Sequence, residues 1–138
     1  MPPEVTVTLL RNQWPVTKGE PEHARRSVYL FARRNLKFPM FDVFDRPEGN
    51  ASCGRRHVST TATQALTQMN SAFSWEMAGA LAERVRGDGD AVVRAFELVV
   101  GRAPDADEVA LGKALVEEAS LEDYCLGLFN LNAFLYVE

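Results

Sequence analysis

The chain has 138 residues, the usual length of one domain, which is enough to bury a core without disulfides or bound metals. Hydrophobic residues make up 46% and charged residues 25%, as is typical of a globular protein. No apolar run approaches the roughly 20 residues that cross a bilayer, which excludes a membrane-spanning helix. The N-terminus also lacks the charged-then-apolar pattern of a signal peptide. Its abrupt start suggests a piece of a longer protein.

The net charge of −4 is unevenly distributed along the chain. Residues 1–60 carry ten Lys/Arg against six Asp/Glu, a net +4, whereas residues 61–138 carry five against thirteen, a net −8. This asymmetry predicts either that the two halves attract each other or that the basic half faces an anionic partner. A pI of about 5.2 and the lack of an arginine-rich helix with base-reading side chains argue against nucleic acid as that partner.

The first third of the chain predicts an extended N-terminal arm followed by helices. Residues 1–19 contain VTVTLL between prolines and a glycine, which favours an extended arm. The segment EPEHARRSVYLFARRN, residues 20–35, predicts a helix with Pro21 in its first turn. PMFDVFDRP, residues 39–47, predicts one short helical turn. The aromatic side chains of this region are expected in the core, namely Tyr29, Phe31, Phe38, Phe41 and Phe44.

A loop, PEGNASCGRRHVSTT, precedes several helices with marked N-terminal caps. The expected caps are Thr60 or Thr61, Ser71 or Ser74, Asp90, Asp105 and Ser120. Gly101 is placed to end a helix, and an apolar stripe at Phe73, Met77, Leu81 and Val85 predicts a core-facing side. The last helix is expected from Leu121 through the C-terminal segment. The predicted fold class is therefore mainly α: a single domain, 1–138, with an arm at 1–19 and a compact bundle of about six helices at 20–138.

The loop at Cys53–His57, CGRRH, is the sharpest candidate site. Arg56 stands where a haem-attachment motif needs its second cysteine, so that interpretation is rejected. A Cys–His nucleophile pair is an alternative, because neighbouring arginines lower a thiol pKa. The favoured interpretation is structural: Arg55 and Arg56 pair with Asp42 and Asp45 and fix the loop. Anion or sugar binding beside the following helix N-terminus remains a further alternative.

The remaining candidates are two cysteines, a tryptophan and an acidic cluster. Cys53 and Cys125 are expected to be free thiols, with a disulfide as the alternative if the protein is exported. Trp14 is expected to anchor the arm or, if exposed, to stack on sugar rings. Asp42, Asp45 and Glu48 lack the spacing of a calcium-binding loop. No metal and no cofactor is expected.

Three segments of the sequence carry a family resemblance. They are RRSVYLFARRNLKFPMFDVFDRPEGNASCGRRHVSTTATQALTQMN, AFELVVGRAPDADEV and LEDYCLGLFNLNAFLYVE. The chain resembles, from residue 3 to residue 138, the C-terminal part of a planctomycete-specific domain family of unknown function. The resemblance implies a large exported protein, often with a cytochrome c-like region, and hence a periplasmic or cell-surface location. It implies no reaction and no catalytic residues.

These observations favour a non-catalytic structural or interaction module of an exported multidomain protein. It would dock against upstream domains or a protein partner, and a homodimer through an exposed apolar face is a further expectation. The alternative is a ligand-binding or catalytic unit for an anionic or carbohydrate substrate. That unit would use Arg55, Arg56 and His57 with Asp42 or Asp45. A docking surface for an electron-transfer partner rests on the family context alone.

Overall fold

The computed structural model describes residue 19 and residues 25–29, 38–47, 51–55 and 61–136. Every regular element within these residues is helical, which confirms the mainly α fold class. The chain divides into two compact units, residues 1–57 and 58–138. The arm predicted at 1–19 lies outside the described residues except for Gly19, and the single-domain organisation stays a prediction.

The helices follow one another through most of the described chain. They are α1 (Pro39–Val43), α2 (Ala62–Asn70), α3 (Ala72–Val85), α4 (Ala91–Val100), α5 (Ala106–Glu118), α6 (Leu121–Leu128) and α7 (Asn132–Leu135). A 3₁₀ turn at Ser27–Tyr29 falls inside the helix predicted for residues 20–35, most of which lies outside the described residues.

In the first unit, the short helix α1 begins at Pro39, whose missing N–H costs nothing at a first helical position. It ends before Asp45, whose backbone is left-handed with a φ of 50°. The Arg46 N–H then donates a hydrogen bond to the Phe41 carbonyl oxygen at 2.9 Å. The Arg46 guanidinium lies 5.0 Å from the centre of the Phe41 ring. The predicted helical turn is thus confirmed. Tyr29 is 67% exposed, so its expected place in the core is wrong.

In the second unit, five helices begin at residues that the sequence marks as N-caps. A side-chain oxygen of each cap residue accepts a hydrogen bond from the main-chain N–H of the residue three positions further on. The pairs are Thr61 with Gln64, Ser71 with Ser74, Asp90 with Val93, Asp105 with Glu108, and Ser120 with Asp123. Each such cap contributes about 1 kcal/mol to stability. Gly101 ends α4 with a left-handed φ of 80°, as predicted.

The core of the second unit forms around α6, which packs against α2, α3, α4 and α5. Helix α3 brings small side chains to this contact, which favours a close approach of the two helices. Burial of an aromatic side chain such as Phe96 adds about 2 kcal/mol or more. The buried apolar residues are Ala78, Ala82, Val85, Val92, Ala95, Phe96, Tyr124, Cys125, Leu126 and Leu128.

The core face of α3 differs from the predicted stripe. Val85 is fully buried as expected, but Phe73 is 58% exposed, and the other buried positions are Ala78 and Ala82. Phe73 and Met77 lie along a neighbouring face of the same helix, whereas Leu81 is partly buried against the core. Side-chain size misled the prediction, because alanines form the contact with α6.

The helix predicted from Leu121 through the C-terminal segment is interrupted at residues 129–131. The N–H of Asn130 bonds the Gly127 carbonyl oxygen at 3.0 Å, a 3₁₀ pattern. Its side-chain amide donates to the Leu126 carbonyl oxygen at 3.3 Å. That carbonyl would accept the Asn130 main-chain N–H if the helix continued, so the asparagine replaces the helical bond and ends α6.

Candidate functional site

The second unit carries an open, mainly apolar groove of about 490 Å³. Helix α3 forms one wall, α4 forms the other, and the residues that follow α6 close one side. The lining residues are Gln68, Phe73, Ser74, Met77, Ala80, Leu81, Arg84, Leu98, Val99, Phe129 and Phe134. A concave apolar surface with a few polar groups is the usual form of a binding site.

The α3 wall follows the helical repeat over about three turns. Phe73, Met77 and Leu81 succeed one another at intervals of four residues, and Arg84 follows one turn later. At 1.5 Å per residue, this face extends about 17 Å along the helix. Because Ala78, Ala82 and Val85 occupy the core-facing side, α3 is apolar on two faces. Leu81 also packs partly against the core, so Phe73 and Met77 are the apolar residues of α3 that belong to the groove alone.

Aromatic side chains at the edge of the groove are unusually accessible. Phe73 is 58% exposed and Phe134 is 42% exposed, although both line the groove. The rings of Phe129 and Phe134 lie 5.2 Å apart, so they form a continuous apolar surface. Trp75, on α3, is 44% exposed and its indole N–H donates to the Met69 carbonyl oxygen at 3.0 Å. Exposed aromatic clusters of this kind are typical of protein interfaces.

Two polar groups interrupt the apolar lining. Arg84 is exposed and supplies the only charge among the lining residues. Gln68 lines the groove from α2, and its Oε1 atom is buried without a hydrogen-bond partner among the described residues. A buried acceptor without a donor is destabilising, so Gln68 marks a local cost in the packing between α2 and the groove.

The chain after α7 is held against α2 by a polar contact. The Gln64 side chain, 2% exposed, donates from Nε2 to the Tyr136 hydroxyl at 3.3 Å. This bond joins residues 72 positions apart in sequence. It restrains the segment that carries Phe134, and so helps to position the edge of the groove.

The structure describes three of the predicted binding residues, Asp42, Asp45 and Arg55. Asp42 lies in α1 and Asp45 follows it, with the Asp45 N–H bonded to the Asp42 carbonyl oxygen at 3.3 Å. Arg55 is exposed and forms no ion pair with either aspartate within the described residues, and the predicted pinning of the loop by Arg55 and Arg56 stays a prediction. Arg56, His57 and Trp14 lie outside the described residues. The anion-binding loop therefore stays a prediction.

The two cysteines are free thiols in different surroundings. Cys53 is exposed, and its Sγ donates to the Arg55 carbonyl oxygen at 3.0 Å. Cys125 is fully buried in α6, where burial raises the pKa of the thiol to about 11. The structure has no bond between them.

The His, Cys, Asp and Glu side chains of the described residues form no group of three or more that could hold a metal ion. In the same part of the chain, no helix has both the length and the apolar character needed to cross a membrane.

A family model described as PSD1, protein of unknown function (DUF1553), matches residues 2–116. The chain belongs to this family. The matched range includes every residue that lines the groove except Phe129 and Phe134. No similar curated protein and no similar solved structure was found. This match confirms the predicted resemblance of the PSD1 chain to a family of unknown function.

The groove was not predicted from the sequence, although part of its signal was visible. Phe73, Met77 and Leu81 stood out as an apolar stripe, but the stripe was assigned to the core. Gln68 and Arg84 gave no signal, because a single polar residue in a helix is usually solvated. Recognising them requires knowing which faces of α2 and α3 meet.

Proposed function

We propose that this chain is a non-catalytic interaction module whose groove binds the apolar face of a helical segment from another protein or from the rest of its own longer chain. The observation that carries this proposal is the second apolar face of α3. Phe73, Met77 and Leu81 line an open groove, in which Phe73 is 58% exposed while Leu81 is partly buried against the core. An unburied apolar surface of this size favours association over a solvated surface.

The shape of the groove supports a helix as the bound element. Three apolar positions at helical spacing form a wall about 12 Å long. A partner helix with anchors at i, i+3 or i+4, and i+7 would present a face of similar length. Such grooves bind amphipathic helices because each anchor enters the space between two side chains of the wall.

The chemistry of the groove supports binding rather than turnover. Its lining residues include no Asp, Glu, His, Cys or Lys side chain to transfer a proton or attack a substrate. The Ser74 hydroxyl is present, but no base lines the groove beside it. The same residues are well suited to bury apolar surface.

The family resemblance supports a wider context for the module. It favours a periplasmic or cell-surface protein in which this chain docks against upstream domains. In that setting, the bound helix would come from the same polypeptide or from a partner at the same surface. The alternative, an anionic or carbohydrate ligand at the Cys53–His57 loop, stays a prediction.

Peptide display tests the proposal. The probe is a library of overlapping segments, each about 16 residues long and thus able to form a helix of suitable length, covering all proteins of the source organism. The complete chain is the bait. We expect enrichment of amphipathic helical segments, and loss of that enrichment with Met77→Glu, which places a charge in the groove.

Leu111→Glu is the matched control. Leu111 is 73% exposed on α5 and does not line the groove, so the same change in chemistry should leave enrichment unchanged. Thermal melting of both variants establishes that they are folded. Enrichment that survives Met77→Glu, or no enrichment at all, would contradict the proposal.

A further inference from the structure

Residues 129–136, which we call the strap, differ from the preceding helix in how little of their surface is buried. Each residue of the strap is exposed or only partly buried, whereas four of the eight residues of α6 are buried. Leu131 and Phe134, two large apolar side chains of the strap, are 38% and 42% exposed. Segments with few buried apolar contacts open locally at a lower cost in free energy than the core does.

The helix within the strap is too short to be stable without its surroundings. Helix α7 has four residues, about one turn, and Leu131 before it provides no side-chain hydrogen bond as a cap. Isolated helices shorter than about 12–15 residues are marginal in water. The strap therefore keeps its position through contacts with other helices, one of which is the packing of α7 against α4.

The turn between α6 and α7 has the properties of a hinge. Phe129 has a helical backbone, with φ −68° and ψ −14°, whereas Leu131 is extended, with φ −69° and ψ 138°. Asn130 satisfies two carbonyl groups at the end of α6, through its main-chain N–H and its side-chain amide. These bonds end α6 before Leu131, so the chain beyond this residue can move while α6 stays intact. A change of backbone angles at a few residues between two elements is how hinges work.

The bond between Gln64 and Tyr136 holds the far end of the strap against α2. Among the residues that the structure describes, Gln64 is the one buried polar side chain, with 2% exposure. Its Nε2 atom donates to the Tyr136 hydroxyl at 3.3 Å. A buried amide needs such a partner. Departure of Tyr136 would admit water to this amide, so Gln64 has a hydrogen-bond partner in both positions of the strap.

We propose that the strap is a hinged lid on the groove, in which residues 132–136 move away from α4 as a unit about the turn at 129–131. The Gln64–Tyr136 bond is the latch that sets how often the lid opens. Phe134 lines the groove and α7 packs against α4, so opening removes one edge of the groove and uncovers part of α4. This inference goes beyond the proposed function, because it does not depend on what the groove binds.

Amide hydrogen exchange of the complete chain, followed by NMR at increasing low concentrations of urea, tests the proposal. The amides of Phe134, Leu135 and Tyr136 bond to the carbonyl oxygens of Leu131 and Asn132, so they report on the strap. The amides of α6 report on the core. We expect the strap amides to be protected, to exchange faster than those of α6, and to exchange at rates that low urea does not change.

Tyr136→Phe tests the latch, because it removes the hydroxyl and keeps the ring. Exchange of the strap amides should become about fivefold faster, while the α6 amides keep their rates. Adding Gln64→Met replaces both polar partners by apolar groups, so the rates of the double variant should return towards those of wild type. Tyr29→Phe is the matched control, since Tyr29 is 67% exposed in the first unit, and it should change no strap rate.

Three results would overturn the proposal. Strap amides that exchange at the α6 rate, with the same dependence on urea, would show that the strap opens only when the core unfolds. Unprotected strap amides would show that the strap does not close in solution. Equal acceleration of strap and α6 amides by Tyr136→Phe would show that the bond supports the core and is not a latch.

Discussion

The hydroxyl of Tyr124 donates a hydrogen bond to the main-chain carbonyl oxygen of Val92 at 3.2 Å, and both residues are buried. This bond joins α6 to α4. Burial removes the phenol from water and raises the pKa of Tyr124 to about 12, so the hydroxyl stays protonated and can donate. Gly112 of α5 lies against both side chains, and the three helices meet at this point.

Gly112→Ala should destabilise the second unit. A Cβ atom at this position would lie 2.6 Å from Val92 Cγ1 and 2.9 Å from Tyr124 Cε2, closer than side chains approach. We expect a loss of about 1–3 kcal/mol in the free energy of unfolding, measured by urea denaturation. The overpacking opposes the gain of roughly 1 kcal/mol that alanine brings to a helix interior.

Gly79→Ala in α3 provides the control. A Cβ atom there would meet nothing within 4 Å. Helix propensity then acts alone, and the variant should be as stable as wild type or more stable by up to about 1 kcal/mol. Equal effects of the two substitutions would contradict the packing described at Gly112.

Glu108 should make stability depend on pH in the acidic range. Its carboxylate accepts hydrogen bonds from Arg102 at 2.7 and 2.6 Å and from the Asp105 N–H at 2.9 Å. The Arg102 bonds, followed by the main-chain bond, lower the pKa of Glu108 from 4.5 to about 2. The Glu108 carboxylate therefore binds a proton more readily in the unfolded chain than in the folded one. Because of this difference, its contribution to the stability of the fold is complete above about pH 5 and is lost as the pH falls towards 2.

Melting temperatures of wild type and Glu108→Gln across that range measure this contribution. The difference between them should be largest near neutral pH and should shrink through the window between 4.5 and about 2. Glu117→Gln is the control, because it changes an exposed glutamate of the same helix that has no ion pair with a described residue. A pH-independent difference for Glu108→Gln would show that the carboxylate does not hold these bonds in solution.

The two thiols should differ strongly in reactivity. Cys53 is exposed, whereas Cys125 is fully buried with its pKa raised to about 11. With Ellman's reagent at about pH 8, we expect one rapid reaction in the folded protein and a second only after unfolding. Cys53→Ser should abolish the rapid phase. A denatured mass lower by two hydrogens, which indicates a disulfide, would contradict the free thiols.

The sequence predicts the local features of this fold better than its tertiary ones. Asp105 and Glu108 form a capping box because the required groups lie three residues apart, whatever surrounds them. The core face of α3 differs from the predicted one because tertiary packing against the neighbouring helices makes small residues such as Ala78 and Ala82 the buried ones. Asn130 likewise ends α6 through a side-chain bond that periodicity does not reveal.

The candidate site was beyond prediction for the same reason. Arg84 is notable because it lines the groove, and that property depends on how α3 and α4 pack. Gln68 becomes notable only when its Oε1 is found buried without a donor. Neither property can be read from spacing along one helix.

Methyl NMR of the methionines tests the docking groove most directly. The chain has four methionines, of which Met77 lines the groove and Met40 lies in α1. On addition of a helical segment enriched by display, the Met77 methyl resonance should shift and saturate with the measured affinity, while Met40 stays unchanged. An unmoved Met77 resonance at saturating peptide would contradict the account, because the peptide would then be bound elsewhere.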